Sequence, residues 1–218
     1  MTIELLSNVG RSAVREHALD CLRSAITSGQ YRPGDDLSEV ELAQHLGVGR
    51  GTVRQALRHL QQEGLVTAGK RSMLRVKNLS ALEVRELFRV WAALEGLAVR
   101  QLMASPDVAT SVRKLREASR FADADGDFAG RVEADLSFHL QLCRLSGNSV
   151  LVETWRFLEG RIRVVIMSAG PERALMLMTR SRYEPIIEAI ESADPSVAVT
   201  TVNEHMAVEA DHFARVIS

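Results

Sequence analysis

Apolar residues recur at helical spacing from early in the chain. Between Ala13 and Ser28, the residues Val14, Ala18, Leu22, Ala25 and Ile26 fall on one face of a 3.6-residue helix, and Gly29 follows as a stop signal. Tyr31-Arg32-Pro33-Gly34 reads as a turn, and Ser38 stands where an N-cap is expected for a short helix carrying Leu42, Ala43 and Leu46. Gly47 ends it. Beyond Gly47-Val48-Gly49 a third helix is expected from about Gly51 to Glu63, with Val53, Ala56, Leu57 and Leu60 inward and Gly64 as its cap. Two short helices joined in this way form a helix-turn-helix. The texture then changes: Leu65-Val66-Thr67-Ala68 and Met73-Leu74-Arg75-Val76 flank the polar turn Gly69-Lys70-Arg71-Ser72, which predicts a two-stranded hairpin, the wing.

Everything beyond Lys77-Asn78-Leu79 carries a helical stripe. Ser80 and Glu83 have the spacing of a capping box. Periodic segments near 80–104, 106–123, 127–146, 148–168, 171–192 and 195–216 are punctuated by Pro106, Gly126, Gly147, Gly170-Pro171 and Asp194-Pro195, with no alternating strand pattern and no internal repeat. The expected fold is therefore mostly α. Residues 1–76 form a winged helix-turn-helix of three helices and a small β-hairpin, 77–79 are a linker, and 80–218 form an antiparallel all-α bundle.

Composition narrows the class without changing it. The chain has 218 residues, 46% hydrophobic and 25% charged, which excludes disordered and fibrous classes and leaves room for two domains. Cys21 and Cys143 each lie in an apolar helical pattern and read as core residues in a reducing compartment. The first residues show no charged segment followed by an apolar run, and no stretch reaches the ~18 apolar residues of a membrane span. A cytoplasmic location away from the membrane is expected.

Charge does change the picture once it is divided by region. The net charge is −1, but residues 1–79 hold 11 Lys/Arg against 8 Asp/Glu, and residues 80–218 hold 16 against 20. From Arg50 to Lys77 seven basic residues (Arg50, Arg54, Arg58, Lys70, Arg71, Arg75, Lys77) face one acid, Glu63. Double-stranded DNA would seek such a footprint; a solvated helix face is the plainer reading. A recognition helix puts its first turns into the major groove, and Arg50, Thr52 and Arg54 lie there. The arginine fork can donate two hydrogen bonds to guanine, and threonine can meet a thymine methyl or a phosphate. Arg58 suits the DNA backbone, while Lys70 and Arg71 at the wing tip can reach phosphates or the minor groove, with Gly69 allowing close approach.

The run Arg32-Pro33-Gly34, Leu37-Ser38-Glu39, Glu41-Leu42-Ala43, then Leu46 through Leu57, Leu60 and Glu63-Gly64-Leu65-Val66, resembles the N-terminal domain of the GntR family of transcription regulators. The resemblance implies that Arg50, Thr52, Arg54 and the wing tip contact an operator, and that a homodimer sits on a palindrome. Two positions depart from the pattern. Gly49 replaces the usual Ser or Thr at the start of the recognition helix, and Ser72-Met73 replaces a wing glycine.

Residues 80–215 resemble the effector domain of the FadR-type branch of that family, through Leu94-Glu95-Gly96-Leu97-Ala98, Asp135-Leu136-Ser137-Phe138-His139, Ser146-Gly147-Asn148 and Ile187-Glu188-Ala189-Ile190, with His205 later. The resemblance implies a divalent metal (Zn, Ni or Mn) held by one Asp and three His, with a small carboxylate effector docked on it. Asp135 and His139, four apart, share a helix face and can reach one metal, although a simple hydrogen-bonded pair has the same spacing. His205 matches the final ligand. Tyr183 stands where another His is usual, and Trp91 where an Arg is often found, which moves the expected site from cationic toward aromatic. Either Asp135, His139 and His205 form a three-ligand site, or the polar remnant binds something else. In both cases Trp91, Tyr183, Asp135, His139 and His205 are expected to line one effector cavity. Arg161 and Arg163 are candidate carboxylate clamps, though two residues apart on a helix they face different directions. The leading reading is an effector-responsive DNA-binding regulator, a repressor released by a small metabolite. The alternative is a metal-dependent enzyme using Asp135, His139 and His205, which would have no need of a helix-turn-helix with a basic wing.

Overall fold

The computed structural model describes residues 2–69, 73–120 and 127–217, with residues 2–12 described by their backbone alone. The chain divides into two units, the break falling between Asn78 and Leu79.

The first unit opens with α1 (Thr2–Thr27), which begins well before the periodic stretch from Ala13. A two-residue strand β1 (Asp36–Leu37) follows, then α2 (Glu39–Leu46), α3 (Arg50–Gln62), β2 (Val66–Ala68) and β3 (Leu74–Val76). Ser38 caps α2 by accepting from the Glu41 amide, and Gly47 ends it at φ 64°, a left-handed conformation that costs glycine no Cβ clash. The apolar stripe of α3 is fully enclosed at Val53, Ala56, Leu57 and Leu60, and packs on α1, where Ala18, Leu22 and Ile26 are buried. Arg23 of α1 grips Glu63 just beyond α3 through Nε at 3.0 Å and Nη2 at 2.6 Å. The sheet runs β1-β3-β2, antiparallel throughout, with Asp36 opposite Arg75 and Val66 opposite Val76. The third strand, β1, was not expected, because two residues are too short to show a period.

The second unit is helical among the described residues: α4 (Ala81–Met103), α5 (Val108–Ser119), α6 (Phe128–Leu145), α7 (Ser149–Ala169), α8 (Pro171–Ala174), α9 (Arg180–Glu191) and α10 (Pro195–Ile217). The capping box at the start of α4 is complete, with Ser80 accepting from the Glu83 amide and Glu83 accepting from the Ser80 amide at 2.9 Å. The segment expected as one helix over 171–192 is broken. A 3-10 turn at Leu175–Leu177 follows α8, and extended backbone at Thr179 precedes α9. The break frees the Met178 carbonyl, which accepts from Arg131 Nη2 at 2.8 Å. Two apolar clusters form the core. One gathers Phe88, Trp91, Leu136, Trp155, Met206 and Phe213, the other Leu102, Leu115, Phe138, Tyr183, Ile187 and Val202. Among the described residues no helix is long and apolar enough to cross a membrane.

Candidate functional site

In the first unit the basic residues of α3 stand on its outer face. Arg50, Arg54 and Arg58 are exposed and Thr52 is half-buried, while the inward stripe holds the helix against α1. Gly49 occupies the N-cap in an extended conformation and supplies no side-chain cap, while its carbonyl accepts from the Thr52 amide at 2.9 Å and the Val53 amide at 3.3 Å. Arg54 does not hang free. Its Nε lies 3.0 and 3.1 Å from the two carboxylate oxygens of Glu39 on α2, and its Nη2 is 2.8 Å from one of them. Hydrogen bonding to Arg54, helped by the charges of Arg50 and Arg58, holds the Glu39 carboxyl below its usual range.

In the wing, Gly69 has a reason internal to the hairpin. Its amide donates to the Met73 carbonyl at 2.7 Å, and a Cβ there would stand 2.8 Å from Arg75 Nε and 3.0 Å from Met73 O. Arg75 is committed to Asp36 of β1 at 2.8 Å. Lys70 and Arg71 lie outside the described residues.

In the second unit three helices each place two polar residues four apart on an otherwise apolar stripe: Trp91 and Glu95 on α4, Asp135 and His139 on α6, His205 and Glu209 on α10. That spacing stacks each pair on one helix face, so the stripes that build the core also carry the site. Tyr183 joins from α9. His139 is the hub: its ring centroid lies 4.8 Å from Trp91, 5.4 Å from His205, 5.9 Å from Tyr183 and 5.5 Å from Phe138. The five residues expected around one effector cavity are thus brought together, between the two apolar clusters. Trp91, His139 and Tyr183 are fully enclosed, and Asp135 and His205 are buried.

The hydrogen bonds inside this cluster differ from the expected metal set. Tyr183 Oη donates to Asp135 Oδ1 at 2.5 Å, which turns that carboxylate toward the phenol. The carboxylate that meets the two histidines is instead Glu209. His139, His205 and Glu209 each bring a donor atom within 4.8 Å of the others, and Asp135 is not in that group. Glu209 Oε1 stands 3.1 Å from His205 Nε2, yet that nitrogen makes no hydrogen bond of acceptable geometry. His139 Nδ1 lies 2.9 Å from Glu95 Oε2, and Trp155 Nε1 donates to Glu95 Oε1 at 3.1 Å. His139 Nε2, His205 Nε2 and Trp91 Nε1 are all buried without a hydrogen-bond partner among the described residues.

Burial disfavours a charged His139, but the carboxylates of Glu95, Asp135 and Glu209 outweigh it and raise the imidazolium to about 9. Burial also pushes the Asp135 carboxyl up, to about 6, against the pull of His139 and the Tyr183 hydrogen bond. Burial and the Asp135 charge drive the Tyr183 phenol far above its ordinary range, so it stays a neutral donor. For Glu209 burial works upward, but His205 and His139 prevail and lower it.

Two imidazoles with unpartnered, enclosed nitrogens and one carboxylate are a donor set suited to a first-row divalent cation, and these residues fit one. The fit runs through Glu209 rather than Asp135.

Arg161 and Arg163 do not join the cluster. Arg163 pairs with Glu133 at 2.5 Å and Glu159 at 3.2 Å, and the Arg161 guanidinium sits 5.4 Å from the centre of the exposed Phe157 ring. A cation absent from the sequence reading takes their place. Arg182, beside Tyr183, has Nε and Nη2 buried without a hydrogen-bond partner among the described residues, and its charge is felt by Glu209. With Trp91 where an Arg was often expected, Arg182 brings a guanidinium close enough to act on the Glu209 carboxylate. Glu95, Glu209 and Arg182 were the residues missed. For the two glutamates the signal was present, since each interrupts an apolar stripe on its helix.

Two family models match the chain. The one described as bacterial regulatory proteins, gntR family, covers residues 14–76, and the FCD domain covers residues 86–208. Among curated relatives, the "Probable D-xylose utilization operon transcriptional repressor" of Paenarthrobacter nicotinovorans is 28% identical over 200 residues, spanning 90% of this chain and 87% of its own. The Nta operon transcriptional regulator of Aminobacter aminovorans is 33% identical over 138 residues, 62% of this chain and 65% of its own. Among solved structures, a GntR protein from Rhodococcus sp. RHA1 superposes with a TM-score of 0.77 at 24% identity, covering 91% of this chain and 96% of that one. McbR/YncC of E. coli superposes at 0.70 with 20% identity, covering 93% and 97%.

Proposed function

The chain belongs to the GntR family and is a DNA-binding transcriptional regulator with an FCD domain, and we propose that it binds a palindromic operator as a homodimer and leaves it when a small-molecule effector occupies the buried site of the second unit. The unpartnered polar atoms of that site carry the effector half of the reading. Trp91 Nε1 and His139 Nε2 are enclosed without a hydrogen-bond partner among the described residues, each at a cost of about 1–3 kcal/mol that a ligand would remove, and His205 Nε2 has only the poorly aligned Glu209 Oε1 at 3.1 Å. His139, His205 and Glu209 would hold a divalent cation of the zinc, nickel or manganese class, which would supply fixed positive charge and open coordination positions for an effector oxygen. Trp91 offers an N–H to an acceptor on the effector. Arg182, with its Nε and Nη2 edge vacant, suits a carboxylate held by two parallel hydrogen bonds.

The DNA half rests on α3. Arg50 and Arg54 are exposed on its N-terminal half with Thr52 between them, and the Glu39 carboxylate pre-orients Arg54 for a base edge. Repression is the proposed mode, supported by the name of the Paenarthrobacter relative. The enzymatic alternative has less to stand on, because Asp135, its intended third ligand, is engaged by Tyr183.

Selection of duplexes from a random library by the full chain, followed by footprinting, tests the DNA half. Enrichment of a two-fold symmetric motif protected on both half-sites is expected; equal retention of all sequences would refute it.

A further inference from the structure

Glu95 has no place in the donor set above, yet it is as deeply enclosed as the imidazole it faces. Its two carboxylate oxygens serve different donors, Oε2 at 2.9 Å from His139 Nδ1 and Oε1 at 3.1 Å from Trp155 Nε1. A carboxylate only accepts, so the first contact is a hydrogen bond when the His139 proton is on Nδ1. Nε2, the nitrogen left over, is the buried and unpartnered one in the ring that approaches His205 and Glu209. An indole N–H only donates, so Trp155 requires an acceptor at Oε1 and fixes which oxygen is left for the imidazole.

We propose that Glu95 is the positioning residue of the cation site: it keeps the His139 proton on Nδ1 and so leaves Nε2 as the atom that ligates a divalent cation with His205 and Glu209, while Trp155 holds the carboxylate in register. The inference rests on the cation reading of that site and adds to it the residues that decide whether His139 can ligate at all. Partners in this position, on the far nitrogen of a ligating histidine, typically govern metal affinity by about 10–100-fold.

The geometry predicts an unusual pattern across variants. In Glu95→Gln, the side-chain oxygen stays with the Trp155 N–H and the amide nitrogen turns toward His139. Nδ1 must then accept, the proton moves to Nε2, and ligation is blocked. In the double variant Glu95→Gln/Trp155→Phe, the amide is free to rotate, its oxygen accepts from Nδ1–H again, and ligation returns.

The test is titration of the chelator-treated full chain with Co2+, read by its visible absorption, with Zn2+ as competitor. The expected result is one ion per wild-type chain, binding about 10–100-fold weaker in Glu95→Gln, and recovery toward wild type in the double variant. A Glu95→Gln affinity equal to wild type, or a double variant weaker than the single one, overturns the proposal; the latter is what a merely structural glutamate would produce. Nitrogen-15 spectra of the zinc-loaded wild type give a check that needs no variant. Nδ1 protonated and Nε2 metal-bound is expected at His139, and the reverse would overturn the assignment. If instead the wild type takes up no ion, or takes it up equally well in His205→Ala, the cation reading itself fails, and that outcome is distinct from normal uptake by Glu95→Gln.

Discussion

Replacing Tyr183 by Phe isolates one hydrogen bond in the core and asks how the site's buried charge is held. The substitution keeps the ring, which stacks on Phe138 with centroids 4.2 Å apart, so little packing is lost. It removes the hydroxyl that donates to Asp135 at 2.5 Å and leaves a 2% exposed carboxyl without that donor. Because burial raises Asp135 from 3.8 to about 6, folding favours the protonated acid, and the fold loses stability as the pH rises through about 6. The Tyr183 hydrogen bond tempers that loss by stabilising the ionised form. Without it, the deficit should be about 2–3 kcal/mol at pH 8, where the bond to a charged acceptor is forfeited, and only about 1 kcal/mol at pH 5, where the acid is neutral. Urea unfolding of the chelator-treated protein gives both values. The chain's two tryptophans, Trp91 and Trp155, both lie in the second unit, so their fluorescence reports that unit alone. Equal destabilisation at both pH values, or a larger one at pH 5, would show that the Tyr183 hydroxyl does not favour the ionised form of Asp135.

Further outcomes follow from the same structure. Arg54→Ala should weaken the selected operator by about 1–3 kcal/mol and relax one base position, whereas Lys70→Ala should mainly reduce the slope of affinity against salt; equal loss on operator and random DNA for Arg54→Ala would contradict base reading. His139, raised from 6.5 to about 9, contributes stability to the metal-free protein that is fully present below pH 6.5 and lost as the pH rises through 9. Urea midpoints at pH 6.5, 8 and 9.5 should fall in that order for wild type and flatten in His139→Gln. Gly69→Ala would place a Cβ against Arg75 and the Met73 carbonyl, so it should lower operator affinity by displacing the wing, and unchanged binding would show that the hairpin accommodates it.

Much of the fold was legible because stripe and punctuation agree. Ser38, Gly47 and Gly64 bound the short helices of the first unit, and the Ser80–Glu83 box opens the second. What escaped was decided by tertiary context. The strand β1 is defined by its pairing, Asp36 with Arg75 and Leu37 with Leu74, and the carbonyl freed at the break before α9, that of Met178, is satisfied by Arg131 from α6. The site was half legible for the same reason. Asp135, His139 and His205 stood out as metal-binding types at suitable spacing, but spacing along one helix says nothing of which carboxylate a second helix delivers. Tyr183, expected in the cavity where another His is usual, occupies Asp135, and Glu209, which the sequence analysis did not single out, takes the place beside His205. Arg182 could not be placed from its own helix, where it is one of two arginines in the first turn.

Under the proposed function, occupancy of the His139, His205 and Glu209 site alters DNA binding by the same chain. Operator affinity of the full chain, measured by fluorescence anisotropy with the site stripped by chelator and then loaded with Zn2+, tests it most directly. The two affinities should differ, operator should change Zn2+ affinity by the same factor, and the difference should vanish in a His139→Ala/His205→Ala variant that still binds operator. Identical operator affinity with and without the ion, at a Zn2+ concentration shown to fill the site, would contradict it.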